Sequence, residues 1–272
     1  MPIPIWPTRL LILGCGNMGG AMLAGWLRGG IDPSRFTIVD PQLAQAPAGV
    51  TLLRALPTGE SFDAILLGVK PQLLDAVAPA LSPLVGPHTV LLSILAGVEL
   101  SSLAARFPQA GGIVRIMPNL AAAIGKSPMG LAGQGLDKAA QAKITALLTP
   151  LGTPEWLARE SLIDAVTALG GSGPAFVYRF LDALAQGGAA IGLPVDQALR
   201  LALSMVEGAA ALAAASEHPP AELARRVASP GGTTEAGLKV LDEGEAITRL
   251  LAATLKAARD RSEEMAAAAR AG

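Results

Sequence analysis

Cysteine is nearly missing from this chain: Cys15 is the only one among 272 residues, so no internal disulfide can form and disulfide-stapled secreted scaffolds are excluded. Histidine is almost as scarce. Neither His88 nor His218 has Cys or His neighbours at metal-ligand spacing, so no metal site is expected. There is no Lys/Arg cluster, and 21 basic side chains against 22 acidic ones leave a net charge of −1. That balance argues against a nucleic-acid surface or an anionic-membrane anchor and leaves a small solute as the expected partner. The opening Met1-Pro2-Ile3-Pro4-Ile5-Trp6-Pro7 lacks the basic and apolar regions of a signal peptide, which makes the cytoplasm the expected location. No run of about eighteen apolar residues escapes a charge or a breaker, so no membrane span is expected either.

What the chain has in abundance is apolar content, 51%, enough for a sizeable core in one large or two ordinary domains. The alanine and leucine excess lies mainly after residue 180, on predicted helices, and points to helices buried on several faces, with another subunit as cover.

The first apolar run, Leu10-Leu11-Ile12-Leu13, stops at Gly14-Cys15-Gly16-Asn17-Met18-Gly19 and restarts as Ala21-Met22-Leu23-Ala24. This is the order strand, turn, helix. Gly14, Gly16 and Gly19 fit the dinucleotide fingerprint: the first glycine turns the chain, the second admits a pyrophosphate to the backbone, and the third lets helix and strand pack closely. Phe36-Thr37-Ile38-Val39-Asp40 reads as a second strand ending on an acid about twenty residues past the last of these glycines, where a ribose-binding carboxylate belongs. A carboxylate there accepts hydrogen bonds from a free 2′-hydroxyl and repels the 2′-phosphate of NADP.

Ala64–Val69 and Thr89–Ile94 are near-continuous apolar runs suited to strands buried on both faces of a parallel sheet. Their turns, Val69-Lys70-Pro71 and Ala96-Gly97, belong at the carboxyl edge where ligands bind in such sheets, while Pro71 and Gly97 fit ordinary chain punctuation equally well. Gly112–Asn119 reads as a further strand, in which Arg115 needs a partner if it is buried. Met129–Ala132 and Pro154–Leu157 read as short closing strands around a helix from Asp137 to Leu148. From Asp164 the pattern turns helical: Ala175–Ile191, Val195–Ser216, Pro220–Val227, Glu235–Asp242 and Ala246–Ala269. A boundary near residue 160 divides the chain into domains 1–160 and 161–272.

Two loops of the helical half carry the chemistry. Gly170-Gly171-Ser172-Gly173-Pro174 precedes a helix, with Ser172 placed to cap it. Ser229-Pro230-Gly231-Gly232-Thr233-Thr234 offers backbone N–H groups and three hydroxyls to a small carboxylate; the competing use of Thr233 or Thr234 is to cap the helix that follows. No lysine follows the first of these loops before Arg179. Reducing a ketone calls for a proton donor to the developing alkoxide, whereas hydride addition to a protonated imine gives a neutral amine directly, so the chain leans toward C=N chemistry.

Together these residues resemble the pyrroline-5-carboxylate reductase family over nearly the whole chain. The resemblance is carried by Gly14–Gly19, Val69-Lys70-Pro71, Arg115-Ile116-Met117-Pro118-Asn119, Thr167–Ala175 and, most specifically with the last of these, Ser229–Thr234. Gly170 departs from it, since many members have serine there, and Asp40 sits badly with the family's frequent use of NADPH. The resemblance implies a Rossmann-type doubly wound sheet followed by an all-α dimerisation domain, with homodimers that associate further into rings. It implies reduction of 1-pyrroline-5-carboxylate to L-proline by NADPH or NADH. The cofactor would lie on Gly14, Gly16, Asn17, Met18, Gly19 and Asp40, on Val69, Lys70 and Pro71, on Ala96 and Gly97, and on Met117 and Asn119. Ser229, Gly232, Thr233 and Thr234 would hold the substrate carboxylate, Thr234 would also reach the reacting ring nitrogen, and Glu217 matches a family acid that supports this loop. The rivals are another imine or hydroxyacid reductase of the same fold and a non-catalytic NAD(P)-binding redox sensor.

Overall fold

The structure is a computed structural model that describes residues 6–271, with side chains to residue 267. Met1–Ile5, on which most of the signal-peptide argument rests, lie outside the described residues. In chain order the strands are β1 (Leu10–Leu13), β2 (Phe36–Val39), β3 (Thr51–Leu53), β4 (Ala64–Leu67), β5 (Val90–Ser93), β6 (Gly112–Met117), β7 (Ser127–Gln134) and β8 (Gly152–Trp156). They form one sheet in the order β3-β2-β1-β4-β5-β6-β7-β8, parallel throughout except where β7 runs antiparallel to β6. The chain winds outward from β1 in one direction to β3, then returns to start β4 on the other side. The carboxyl ends of β1 and β4 therefore flank the switch point where a doubly wound sheet opens its crevice.

Helices α1 (Asn17–Arg28), α2 (Leu74–Leu81), α3 (Leu100–Arg106) and α4 (Lys138–Leu148) alternate with the strands. The apolar runs alternate between faces with the period of two that a strand imposes. Leu10, Ile12, Phe36, Ile38 and Leu66 enter one core, while Leu11, Leu13, Val39, Ile65 and Leu67 enter the other. Trp26 anchors the first core, stacking on Phe36 at 5.6 Å between ring centroids and donating its indole N–H to the Leu147 carbonyl at 2.8 Å. Burial of an indole is favourable only when that N–H finds an acceptor, and α4 supplies it. Arg115 does have the partner it needs: it is buried on β6 and donates to Glu160 Oε1 at 2.6 Å, which also accepts the Leu100 N–H at 2.7 Å at the start of α3. The pair ties the middle of the sheet to the helix that follows the Ala96-Gly97 turn.

Seven of the eight strands match their expected position to within two residues at either end. The edge strand β3 is unforeseen, and β7 and β8 start two residues before the apolar stretches that mark them in the sequence. Asp137 is the N-cap of α4, accepting the Ala140 N–H at 2.7 Å.

The remaining helices are α5 (Ile163–Val166), α6 (Gly173–Ala190), α7 (Val195–Ala215), α8 (Pro220–Val227), α9 (Thr233–Asp242) and α10 (Ala246–Ala271). The chain forms two compact units, one running to Gly171 and resuming at Ala258, the other Ser172–Ala257. In the first, α10 is tied to α5 by the Ser262 hydroxyl, which donates to Asp164 at 2.7 Å. Ser172 does not cap α6 as expected: it has helical dihedrals and makes no side-chain capping bond, because the chain reaches α6 through a π-helical turn over Thr167–Gly171. Among the described residues one helix, α7, is long and apolar enough to cross a membrane by length and composition; it carries Asp196, Arg200 and Glu207.

Gly25 sets the seat of α1. A Cβ there would fall on the Ala122 carbonyl oxygen and against the Leu151 side chain. Gly25→Ala is therefore expected to lose about 1–3 kcal/mol through forced separation of packed backbones, in spite of alanine's better helix propensity. Urea denaturation of the two proteins measures this, and equal midpoints would refute it.

Candidate nucleotide and substrate sites

Three glycines at the switch point are required by packing. Gly14 has φ +84°, and a Cβ on it would lie 2.8 Å from the Val69 backbone nitrogen; one on Gly19 would lie 2.9 Å from the Gly14 carbonyl oxygen; one on Gly68 would fall on that same oxygen. The turn after β1, the turn after β4 and the first turn of α1 meet there with no room for side chains. Gly16 is different: a Cβ on it would meet nothing within 4 Å. It is the N-cap of α1 and supplies no side-chain bond, so the first-turn N–H groups and the positive end of the helix are left for a ligand.

Gly14 and Gly16 line a cavity of about 480 Å³ together with Asp40, Val69 and Lys70. Its remaining wall is largely apolar, with Leu56, Leu73, Ala76, Val77 and Ala80. An apolar wall for a base, an acid for a ribose and a free helix N-terminus for a pyrophosphate fit a dinucleotide. Asp40 is fixed in this frame: Oδ2 accepts the Cys15 N–H at 2.9 Å, and Oδ1 accepts those of Gln42 at 2.8 Å and Leu43 at 3.2 Å. The Cys15 thiol is pushed up to about 11, by burial first and by the Asp40 charge second, so it stays protonated at neutral pH.

The other residues expected to meet the cofactor fall into three places. Asn17 is exposed, Met18 half-buried and Gly19 buried in the first turn of α1. Pro71 and Gly97 line a separate cavity of about 820 Å³ with Gln72, Glu99, Ser102 and Arg106, and Ala96 lies exposed at its turn. Met117 and Asn119 follow one another at the end of β6. The Met117 Cε occupies the space a Cβ on Gly171 would need, while the buried Asn119 donates from Nδ2 to the Gly170 carbonyl at 2.8 Å and accepts the Ala121 N–H at 2.9 Å. Asn119 thus holds the π-helical turn against the end of the sheet.

In the second unit Ser229-Pro230-Gly231-Gly232 has the marks of a type II turn: Pro at the second position, Gly231 with φ +71° at the third, and a Gly232 N–H donated to the Ser229 carbonyl at 2.9 Å. The N-cap of α9 is Gly232, so neither threonine caps the helix, and Ser229, Thr233 and Thr234 are exposed. Glu235 reaches back instead, accepting the Gly231 N–H at 2.6 Å; that bond, with a second from Lys239, holds its carboxyl below the usual carboxylate range. Three hydroxyls and an N-terminal helix turn therefore share one surface, a site suited to a small carboxylate.

Gly68, Arg54, Glu235 and the apolar wall from α2 escape sequence reasoning. An isolated glycine in an apolar strand is a known mark of close backbone approach and could have flagged Gly68, and a Glu three residues past an N-cap could have flagged Glu235. Nothing in the sequence points to Arg54, which donates to the carbonyls of Asp40 at 3.1 Å, Leu43 at 2.5 Å and Ala44 at 3.3 Å.

Fold and sites define a nicotinamide-nucleotide oxidoreductase with a helical second domain. Residues 9–97 match the family described as NADP oxidoreductase coenzyme F420-dependent, and residues 160–265 match that described as Pyrroline-5-carboxylate reductase dimerisation. The pyrroline-5-carboxylate reductase of Pseudomonas aeruginosa is 37% identical over 95% of this chain and 97% of its own length. That of Glycine max is 38% identical over 97% and 98%. The solved structure of the Coxiella burnetii reductase superposes with a TM-score of 0.88 at 28% identity, covering 94% of this chain and 98% of that one. The chain belongs to the pyrroline-5-carboxylate reductase family.

The two kinds of glycine separate experimentally. Gly16→Ala should weaken NAD(P)⁺ binding by about tenfold or more, the methyl entering the cavity that Gly16 lines, with an unchanged unfolding midpoint. Gly14→Ala should cost about 1–3 kcal/mol of stability. Titration calorimetry and thermal unfolding of both variants check this; an unstable Gly16 variant or a stable Gly14 variant would contradict it.

Proposed function

We propose that this chain reduces 1-pyrroline-5-carboxylate to L-proline, with the nucleotide on the β1–β4 crevice and the substrate carboxylate on Ser229–Thr234. The observation that carries the second half is the α9 N-terminus, where a glycine caps the helix and leaves three hydroxyls exposed. Bound NAD(P)H supplies the hydride. Everything else is positioning and charge. Ser229, Gly232, Thr233 and Thr234 hold the carboxylate, and Thr234 also places the ring nitrogen. The substrate is a cyclic imine; protonated as the iminium, it takes hydride at its C=N carbon and becomes a neutral secondary amine, so no alkoxide needs an acid. Fixing two reactants in register is worth on the order of 7–11 kcal/mol of barrier, which lets a site of hydroxyls and amides do this work.

Gly14, Gly16, Asn17, Met18 and Gly19 would hold the pyrophosphate of the nucleotide, and Asp40 would hold its ribose. Val69, Lys70, Pro71, Ala96, Gly97, Met117 and Asn119 complete its surroundings. Residues 1–160 serve as the nucleotide domain and 161–272 as the substrate and dimerisation domain. Exposed apolar side chains on the long helices, among them Val177, Phe180, Leu199, Leu203 and Leu251, support a homodimer. Association of dimers into a ring, and a cytoplasmic location, complete the proposal; the single cysteine supports the latter.

Oxidation of NAD(P)H followed at 340 nm with 1-pyrroline-5-carboxylate tests the activity; absence of turnover with either nucleotide rejects it. Thr234→Ala should lower kcat/KM for the substrate about 10- to 100-fold, the worth of a hydrogen bond to a charged group, and leave nucleotide affinity unchanged. Equal kcat/KM in the two proteins would remove Thr234 from the site.

A further inference from the structure

We infer that Asp40 makes this chain selective for NADH over NADPH, although its first half matches a family described by NADP. The inference deepens the reductase reading, and it stands on the wall of the nucleotide cavity. Among the residues lining that cavity Asp40 and Lys70 are the two that carry charge. Asp40 cannot swing aside to admit a phosphate. Its carboxylate accepts three backbone N–H groups, from Cys15, Gln42 and Leu43, and turning it away would break all three bonds, those of Cys15 and Leu43 at part-buried positions. Oδ2 accepts only one of them, which leaves it a lone pair for a ribose hydroxyl. A phosphate ester in the same place brings close to two negative charges against a fixed anion.

A cation at this spot could reverse the preference, and two are near in sequence or space. Arg54 is spent elsewhere: its guanidinium donates to the carbonyls of Asp40, Pro41, Leu43 and Ala44, and it is not among the residues lining the cavity. It braces the loop from behind and keeps Asp40 presented. Lys70 follows β4, and β1 lies between β4 and β2, so the strand that leads to it stands two strand spacings, about 10 Å, from the one that ends at Asp40. That position suits the pyrophosphate near α1 rather than the 2′ position at the end of β2.

The test is calorimetric binding of NAD⁺, NADH, NADP⁺ and NADPH to the full-length protein, with kcat/KM for both reduced forms alongside. The expected result is at least about tenfold tighter binding of the unphosphorylated forms. Raising the salt concentration toward 1 M should narrow that gap, because the Debye length falls to about 3 Å and the repulsion is screened. Asp40→Asn and Asp40→Ser should both move the binding ratio toward NADP(H), Asn keeping a carbonyl acceptor for the amides if the serine variant folds poorly. Equal or tighter binding of NADP(H) by the wild type overturns the inference, as does a gap that salt and both variants leave untouched. Discriminating binding with no turnover of 1-pyrroline-5-carboxylate upholds it and overturns the reductase reading instead.

Discussion

The mutual approach of three backbones at the carboxyl end of β1 is the constraint on which the nucleotide half depends. Gly14, Gly19 and Gly68 bring the turn after β1, the start of α1 and the turn after β4 within contact of one another, and a side chain on any of them would wedge the group apart. The reward for this crowding is the unoccupied space over Gly16. Because α1 starts directly against β1 with a bare N-cap, its first turn stands beside a cavity lined by Gly16, Asp40 and Lys70. Packing and binding are thus divided among neighbouring glycines of one motif, and a single sequence signature conceals two different physical demands.

Much of this was legible in the sequence because it is local. Strands buried on both faces announce themselves as near-continuous apolar runs, and the four clearest, β1, β2, β4 and β5, lie side by side in the sheet. The edge strand β3 has three residues, begins on an exposed threonine and has no such run, so only its pairing with β2 reveals it. The site divides along the same line. Glycines before a helix, an acid ending a strand and a Pro-Gly turn before Thr233 are patterns of neighbours. Arg54 acts on carbonyls ten to fourteen residues away, Asn119 on Gly170 and Arg115 on Glu160; these bonds exist only once the chain has folded. Ser172 shows the reverse case, in which a good local signal for a cap gives way to a π-helical turn held from a distance.

The second unit uses a different physics. Its helices α6 and α7 pack on one another and bury small residues such as Ala185, Ala198 and Ala202, and they leave larger apolar side chains outside. Such a unit cannot cover its own apolar surface, which explains an alanine- and leucine-rich composition that would otherwise suit a membrane. Against this background the Ser229–Thr234 loop is the polar exception. Its amide at Gly231 already has a carboxylate acceptor in Glu235, so the geometry of the turn is set by the chain itself.

Cys15 bears on how the protein meets oxidants. Peroxides and alkylating reagents react with thiolates, and a thiol held up to about 11 is ionised in only about one molecule in 10,000 at pH 7. The residue wedged between two glycines of the nucleotide turn is therefore chemically quiet. An oxidoreductase of this family keeps its lone sulfhydryl out of redox traffic by burial and by the same carboxylate that lines the neighbouring cavity.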